Sequence, residues 1–142
     1  MILIDTNVVS EPMKPQPDRA VVEWLDRQNP ATLYLSSTSL AELLFGIELL
    51  APGKRRDEFE TGLKDLLARF FGPRILPFDE QAALSFAPLV CKARAVGRTI
   101  SMADGQIAAV AAVQGFMVAS RDTTPFVAAG LRVINPWHLK QT

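Results

Sequence analysis

Five short apolar runs are spread along the chain: ILID at residues 2–5, LYLSS at 33–37, ILPF at 75–78, MVA at 117–119 and LRVI at 131–134. The first is too apolar to alternate between a wet and a dry face, which marks a strand buried on both sides. Between the runs lie stretches with helical spacing. Residues 18–28 place Val21, Val22 and Leu25 on one side, and the pattern stops before Pro30. Thr38 to Ala51 forms a second, closed by Pro52-Gly53, and Arg56 to Phe71 a third, with Phe59, Leu63, Leu66, Leu67 and Phe70 together. Asp79 to Val96, bent near Pro88, and Ser101 to Gln114 complete the set. Strands separated by helices predict an α/β fold: a central, mainly parallel sheet with helices on both faces. No repeat, low-complexity tract or linker divides the 142 residues, so one domain over 1–142 is expected.

Much chemistry is excluded by what the chain lacks. His138 and Cys91 are its only histidine and cysteine, too few for a zinc site of nitrogen and sulfur ligands. No local motif joins His138 to a serine or cysteine nucleophile, and no Gly-rich phosphate loop is present. The 15 basic and 15 acidic residues cancel, so any nucleic-acid affinity must come from a local patch. One cysteine permits no internal disulfide and suggests a reducing compartment. No run is apolar enough to span a membrane and the N-terminus lacks the order of a signal peptide, so a cytoplasmic protein without membrane contact is expected. Trp24 and Cys91 are read as core residues.

Carboxylates remain as tools. In a parallel sheet the strands end at one edge, and the crevice beyond it is where α/β proteins place their sites. Asp5 ends the first strand, Asp122 follows the VAS run, and Glu42 and Asp104 fall in the first turns of helices that begin at that edge. Each acid also has a plainer role. Ser39-Leu40-Ala41-Glu42 and Ser101-Met102-Ala103-Asp104 fit a helix-capping box, Asp5 suits an N-cap, and Asp122 suits a turn. Four acids at one rim would nonetheless repel one another, by about 4 kcal/mol per pair at ~4 Å and an effective dielectric of 20. A hard divalent cation relieves that repulsion; an all-carboxylate set suits Mg²⁺, with Mn²⁺ as the substitute. Such a site can activate water against a phosphodiester.

The ordered segments MILIDTNVVSEP, STSLAELLFGI, ILPFDEQAA, SMADGQIAA, VASRDTTPF and NPW resemble the PIN-domain family, and within it the VapC-type toxins of the FitB-like group. The resemblance covers nearly the whole chain. It implies a three-layer α/β/α domain, Mg²⁺- or Mn²⁺-dependent endoribonuclease activity, a toxin's place in a type II toxin–antitoxin pair, a cognate antitoxin and a homodimer. It carries the family's acids onto Asp5, Glu42 and Asp104. Asp122 fills the first acidic slot of the fourth region, whereas Pro125 stands where many relatives have a later acid. Asn7 is assigned either to ordering the site or to a turn.

Residues 37–51 are apolar nearly all round, with Leu40, Leu44, Ile47 and Ala51 on one face and Ala41, Phe45 and Leu49 on another. Part of this helix is expected to meet a second copy or the antitoxin. Lys54, Arg55, Arg56, Lys92, Arg94, Arg98 and Arg121 are the basic candidates for RNA phosphate, Arg121 foremost because it adjoins Asp122. His138 has no evident partner, and Trp137 is assigned to packing the C-terminal tail. The alternative function is a non-catalytic regulatory module that dimerises and reaches promoter DNA only through the antitoxin. An aspartyl-phosphate phosphatase ranks well below both, because Asn7 stands where its second Asp is needed.

Overall fold

The computed structural model describes residues 1–139. Strands β1 (Ile2–Ile4), β2 (Leu33–Ser36), β3 (Ile75–Leu76), β4 (Met117–Ala119) and β5 (Val133–Ile134) form one sheet in the order β3-β2-β1-β4-β5, with every pairing parallel. Helices are α1 (Thr6–Ser10), α2 (Arg19–Arg27), α3 (Ser37–Glu48), α4 (Lys54–Leu66), α5 (Glu80–Ala95), α6 (Met102–Gln114) and α7 (Thr124–Ala128).

Side-chain alternation along the strands builds two cores, one on each face. Ile4, Leu33 and Leu35 pack with Val8, Val21, Trp24, Leu43, Leu63 and Phe71 from α1 to α4 and the turn that follows. Leu3 and Val118 point the opposite way and pack with Ile107, Val110 and Phe126 from α6 and α7. The strands are therefore covered on both sides, as their uninterrupted apolar sequence requires, and the architecture is three-layer α/β/α.

Boundaries moved where polar side chains cap the backbone. The hydroxyl of Ser36 accepts from Ser39 N at 3.0 Å, so α3 begins at Ser37 and ends at Glu48 rather than Ala51. Asp18, Asp79 and Ser101 cap α2, α5 and α6 in the same way. The α4 pattern ends at Leu66, and a π-helical turn over Leu67–Phe71 carries it to Gly72. Pro88 is exposed and α5 runs through it unbroken. The five-residue helices α1 and α7 span little more than one turn, too short for a repeating apolar pattern to show in the sequence. Cys91 is exposed, not in the core, whereas Trp24 is buried as expected. Trp137 packs onto the core beside α2, and the tail it was assigned to pack lies outside the described residues, beyond 139.

One glycine governs how closely α6 approaches α5. A Cβ on Gly105 would lie 2.6 Å from the Phe86 ring. Gly105→Ala gains about 1 kcal/mol of helix propensity but overpacks this contact, at about 1–3 kcal/mol. The net expectation is a loss of about 1 kcal/mol, read by urea unfolding.

Candidate active site

The strand order reverses at β1: the chain proceeds from β1 outward to β2 and β3, then returns to the other side of β1 with β4 and β5. Crevices at such switch points are the ligand sites of open α/β sheets. Here the crevice lies beyond the carboxyl ends of β1 and β4. Ile4 is in register with Ala119, so Asp5 and Ser120 emerge side by side, and Asp5 N donates to Ala119 O at 2.9 Å.

Asp5 is nearly enclosed, at 5% exposure. It accepts from Thr6 N at 2.8 Å, capping α1, and from the Ser120 hydroxyl at 2.6 Å. The capping role foreseen for it is real and coexists with a place in the site. Burial pushes its pKa up to about 6, against the pull of the Ser120 and Thr6 bonds, and the charges of Asp104 and Glu42 raise it further.

The capping box assigned to Glu42 is not formed. Because α3 starts earlier than Ser39, Glu42 stands in its second turn, and its carboxylate accepts instead from the Thr6 hydroxyl at 2.8 Å. Thr6 therefore addresses two acids, its amide donating to Asp5 and its hydroxyl to Glu42. Asp104 does lie in the first turn of α6, and its amide donates to the Ser101 hydroxyl at 3.1 Å. Burial raises the Asp104 pKa above the ordinary carboxylate range; Ser101 opposes this, and Asp122 and Glu42 add to it.

Asp122 is exposed, like Glu42, and lies in the segment between β4 and α7, with its amide donating to Ser120 Oγ at 3.1 Å. The four sequence-derived acids are linked electrostatically: Asp5 feels the charges of Asp104 and Glu42, and Asp104 those of Asp122 and Glu42. Among the described residues, however, no three acid, histidine or cysteine side chains are gathered into a ready-made metal cage.

Two hydroxyls were overlooked by the sequence reading. Ser120 is fully buried and ties Asp5 to the Asp122 amide; Thr6 holds Glu42. The available signal was positional: each is the polar residue where an apolar strand surfaces at the switch point. Asn7 does order the site, donating to Ser120 Oγ at 3.4 Å and accepting from Arg121 N at 3.3 Å. Ser120→Ala is expected to cost about 1–3 kcal/mol by leaving buried polar groups unpaired, and to drive the Asp5 pKa higher still; urea denaturation and titration would measure both.

A fifth acid, Glu11, is buried but belongs elsewhere. Burial alone would raise its pKa, yet the Lys14 ammonium at 2.8 Å, the Asp18 amide at 3.0 Å and the charge of Arg121 bring it below the usual value. It fastens the loop into α2 and is already neutralised. Arg121 lies with its guanidinium 5.2 Å from the centre of the Trp137 ring. His138 is not without a partner: its Nδ1 is 3.3 Å from Asn135 Nδ2.

Comparison with known proteins shows the family. The PIN domain family matches residues 2–130. The chain belongs to the PIN-domain family. It is 51% identical over 137 residues to the VapC ribonuclease Y4jK of Sinorhizobium fredii, spanning 96% of this chain and 98% of that protein. It is 46% identical over 138 residues to Toxin FitB of Neisseria gonorrhoeae, covering 97% and 99% of the two. A solved structure of FitAB bound to an IR36 DNA fragment superposes with a TM-score of 0.92 at 44% identity, over 99% of each chain. These similarities place the PIN domain described here in the VapC- and FitB-like group.

Proposed function

We propose that this PIN-domain protein is the toxin of a type II toxin–antitoxin pair and acts as a divalent-metal-dependent endoribonuclease. The observation that carries this reading is the meeting of acids at the β1–β4 switch point, where Asp5 feels the charges of Asp104 and Glu42, and Asp104 those of Asp122 and Glu42. The names of the VapC ribonuclease and FitB toxin relatives support it.

The donor chemistry fits a hard cation: four carboxylates, no nitrogen or sulfur, and a buried acid whose pKa burial pushes up to about 6, with the charges of Asp104 and Glu42 adding to it. Asp5 and Asp104 would hold the ion, with Glu42 and Asp122 completing its surroundings or orienting water. A bound Mg²⁺ or Mn²⁺ supplies charge neutralisation and Lewis acidity for hydrolysis of an RNA phosphodiester. The chain's part is preorganisation. Ser120 and the Thr6 amide fix both Asp5 oxygens, and the Thr6 hydroxyl fixes Glu42. These bonds keep each carboxylate aimed without reorganisation when substrate arrives.

Partner binding belongs to α3. Leu44 and Phe45 on α3 and Leu49 just beyond its end are exposed, Phe45 at 65% and Leu49 at 70%, a patch suited to a second copy or the cognate antitoxin. Contact with promoter DNA is assigned to the complex with the antitoxin, in keeping with the DNA-bound FitAB relative. Among the described residues no helix is long and apolar enough to cross a membrane, and a cytoplasmic setting suits the exposed, unpaired Cys91.

The test is cleavage of a mixed RNA pool by antitoxin-free protein in Mg²⁺, in Mn²⁺ and in EDTA. Metal-dependent cutting is expected. A folded protein that binds RNA and metal but cuts nothing would favour the regulatory module, for which the exposed α3 face is the supporting observation.

A further inference from the structure

Beside Asp104 and Asp122 a polar groove of about 500 Å³ opens between the turn after α5 and the segment leading into α7. Its lining also includes Arg98, Thr99 and Thr124. The backbone at Arg98 is set by the close of α5. Gly97 takes φ +78°, Gly97 N donates to Arg94 O at 2.9 Å, and Arg98 N donates to Ala93 O at 2.9 Å. This is the paired-bond ending in which a left-handed glycine turns the chain out of the helix. It launches the Arg98 side chain at the groove.

The other arginines beside acids or aromatic rings are engaged. Arg19 and Arg27 pair with Glu23, Arg56 with Glu48 and Arg69 with Asp26, while Arg121 lies over Trp137. No hydrogen bond or ion pair from a described residue occupies the Arg98 guanidinium, although two carboxylates share its groove. A polyanion approaching a rim of four acids needs a positive charge outside the acid cluster. An arginine fork matches a phosphate's two free oxygens, and the Thr99 and Thr124 hydroxyls add neutral donors beside it.

We infer that Arg98 binds a phosphate of the RNA strand adjacent to the one being cut, so that the strand leaves the acid rim through this groove. The inference rests on the nuclease reading above and adds the strand's path to it.

The test uses an Asp5→Asn background, which removes cleavage and lies outside the groove. Binding of a fluorescein-labelled, mixed-sequence single-stranded RNA is followed by anisotropy across a salt series. Arg98→Ala should weaken binding by about tenfold at moderate salt and reduce the slope of log K against log salt by about 0.7, the value for one phosphate on a single strand. Arg98→Lys should restore most of the slope. Arg19→Ala, which removes an exposed charge on α2 outside the groove, should change neither. In the active protein Arg98→Ala should raise KM with kcat nearly unchanged, and thermal melting checks that it is folded. Binding and salt slope unaltered by Arg98→Ala, in a protein that does bind and cut RNA, would overturn the inference alone. A parent that neither binds nor cuts RNA would overturn the nuclease reading and this inference with it.

Discussion

Asp5→Asn is expected to make the protein more stable above pH 6 while abolishing RNA cleavage. The native Asp5 carboxyl holds its proton at a pKa of about 6 against 3.8 for the unfolded group. Its contribution therefore favours the fold fully below about pH 4, is lost as pH rises through about 6, and stays lost above that. Two pKa units correspond to about 3 kcal/mol. Asparagine carries no charge and can still accept from Ser120 and Thr6, although its amide hydrogens need new partners. A net gain of about 1–3 kcal/mol at pH 8, or roughly 5–10 °C in Tm, is expected, shrinking towards zero by pH 4. Urea unfolding of both proteins at pH 5 and pH 8 in EDTA measures it. A stabilising substitution that destroys function is the signature of a site held under electrostatic strain for its chemistry. Equal stability of the two proteins at pH 8 would mean that burial of this carboxylate costs nothing.

Asp104→Asn should lower cleavage at least a hundredfold and leave the fold intact. The helix-capping reading and the site reading part company here. In the structure it is the Ser101 hydroxyl that caps α6 by accepting from the Asp104 amide, and that bond survives any change of the Asp104 side chain. If Asp104 served the helix through its charge alone, Asn would cost about 0.3–1 kcal/mol and spare activity. If it serves the site, stability holds or rises slightly, because burial and the neighbouring acids already disfavour its charge. Ser101→Ala gives the reverse pattern: about 1 kcal/mol of stability lost, with activity largely kept. Single-turnover cleavage and thermal melting of the two variants, side by side, separate the roles.

The sheet and the acids were legible in the sequence because both depend on features with a strong local signal. Apolar runs such as ILI and MVA cannot be left half wet, and an acid immediately after such a run has only the sheet edge to occupy. The parallel order followed from helices intervening between the strands. What escaped was decided by contacts between distant residues. Ser36 competes with Ser39 for the start of α3, and only the β2 geometry favours Ser36; the apparent capping box of Glu42 dissolves with that choice. The Ser120–Asp5 bond spans 115 positions and depends on the β1–β4 register. Cys91 faces solvent although it was expected in the core, since α5, apolar on several sides, gives little hint in the sequence of which face meets α6. The exposed row of Leu44, Phe45 and Leu49 follows the same logic: an all-round apolar helix announces a surplus of greasy surface without telling which part its own domain will cover.

The central claim is that these four acids form one cation site. Calorimetric titration of Mn²⁺ into the antitoxin-free protein at pH 7.5, beside Asp104→Asn, tests it most directly. The account expects saturable binding to the parent, weakened at least tenfold in the variant, with Mg²⁺ competing for the same site. Mn²⁺ binding that is absent from the folded parent, or unchanged when Asp104 is replaced, would contradict it.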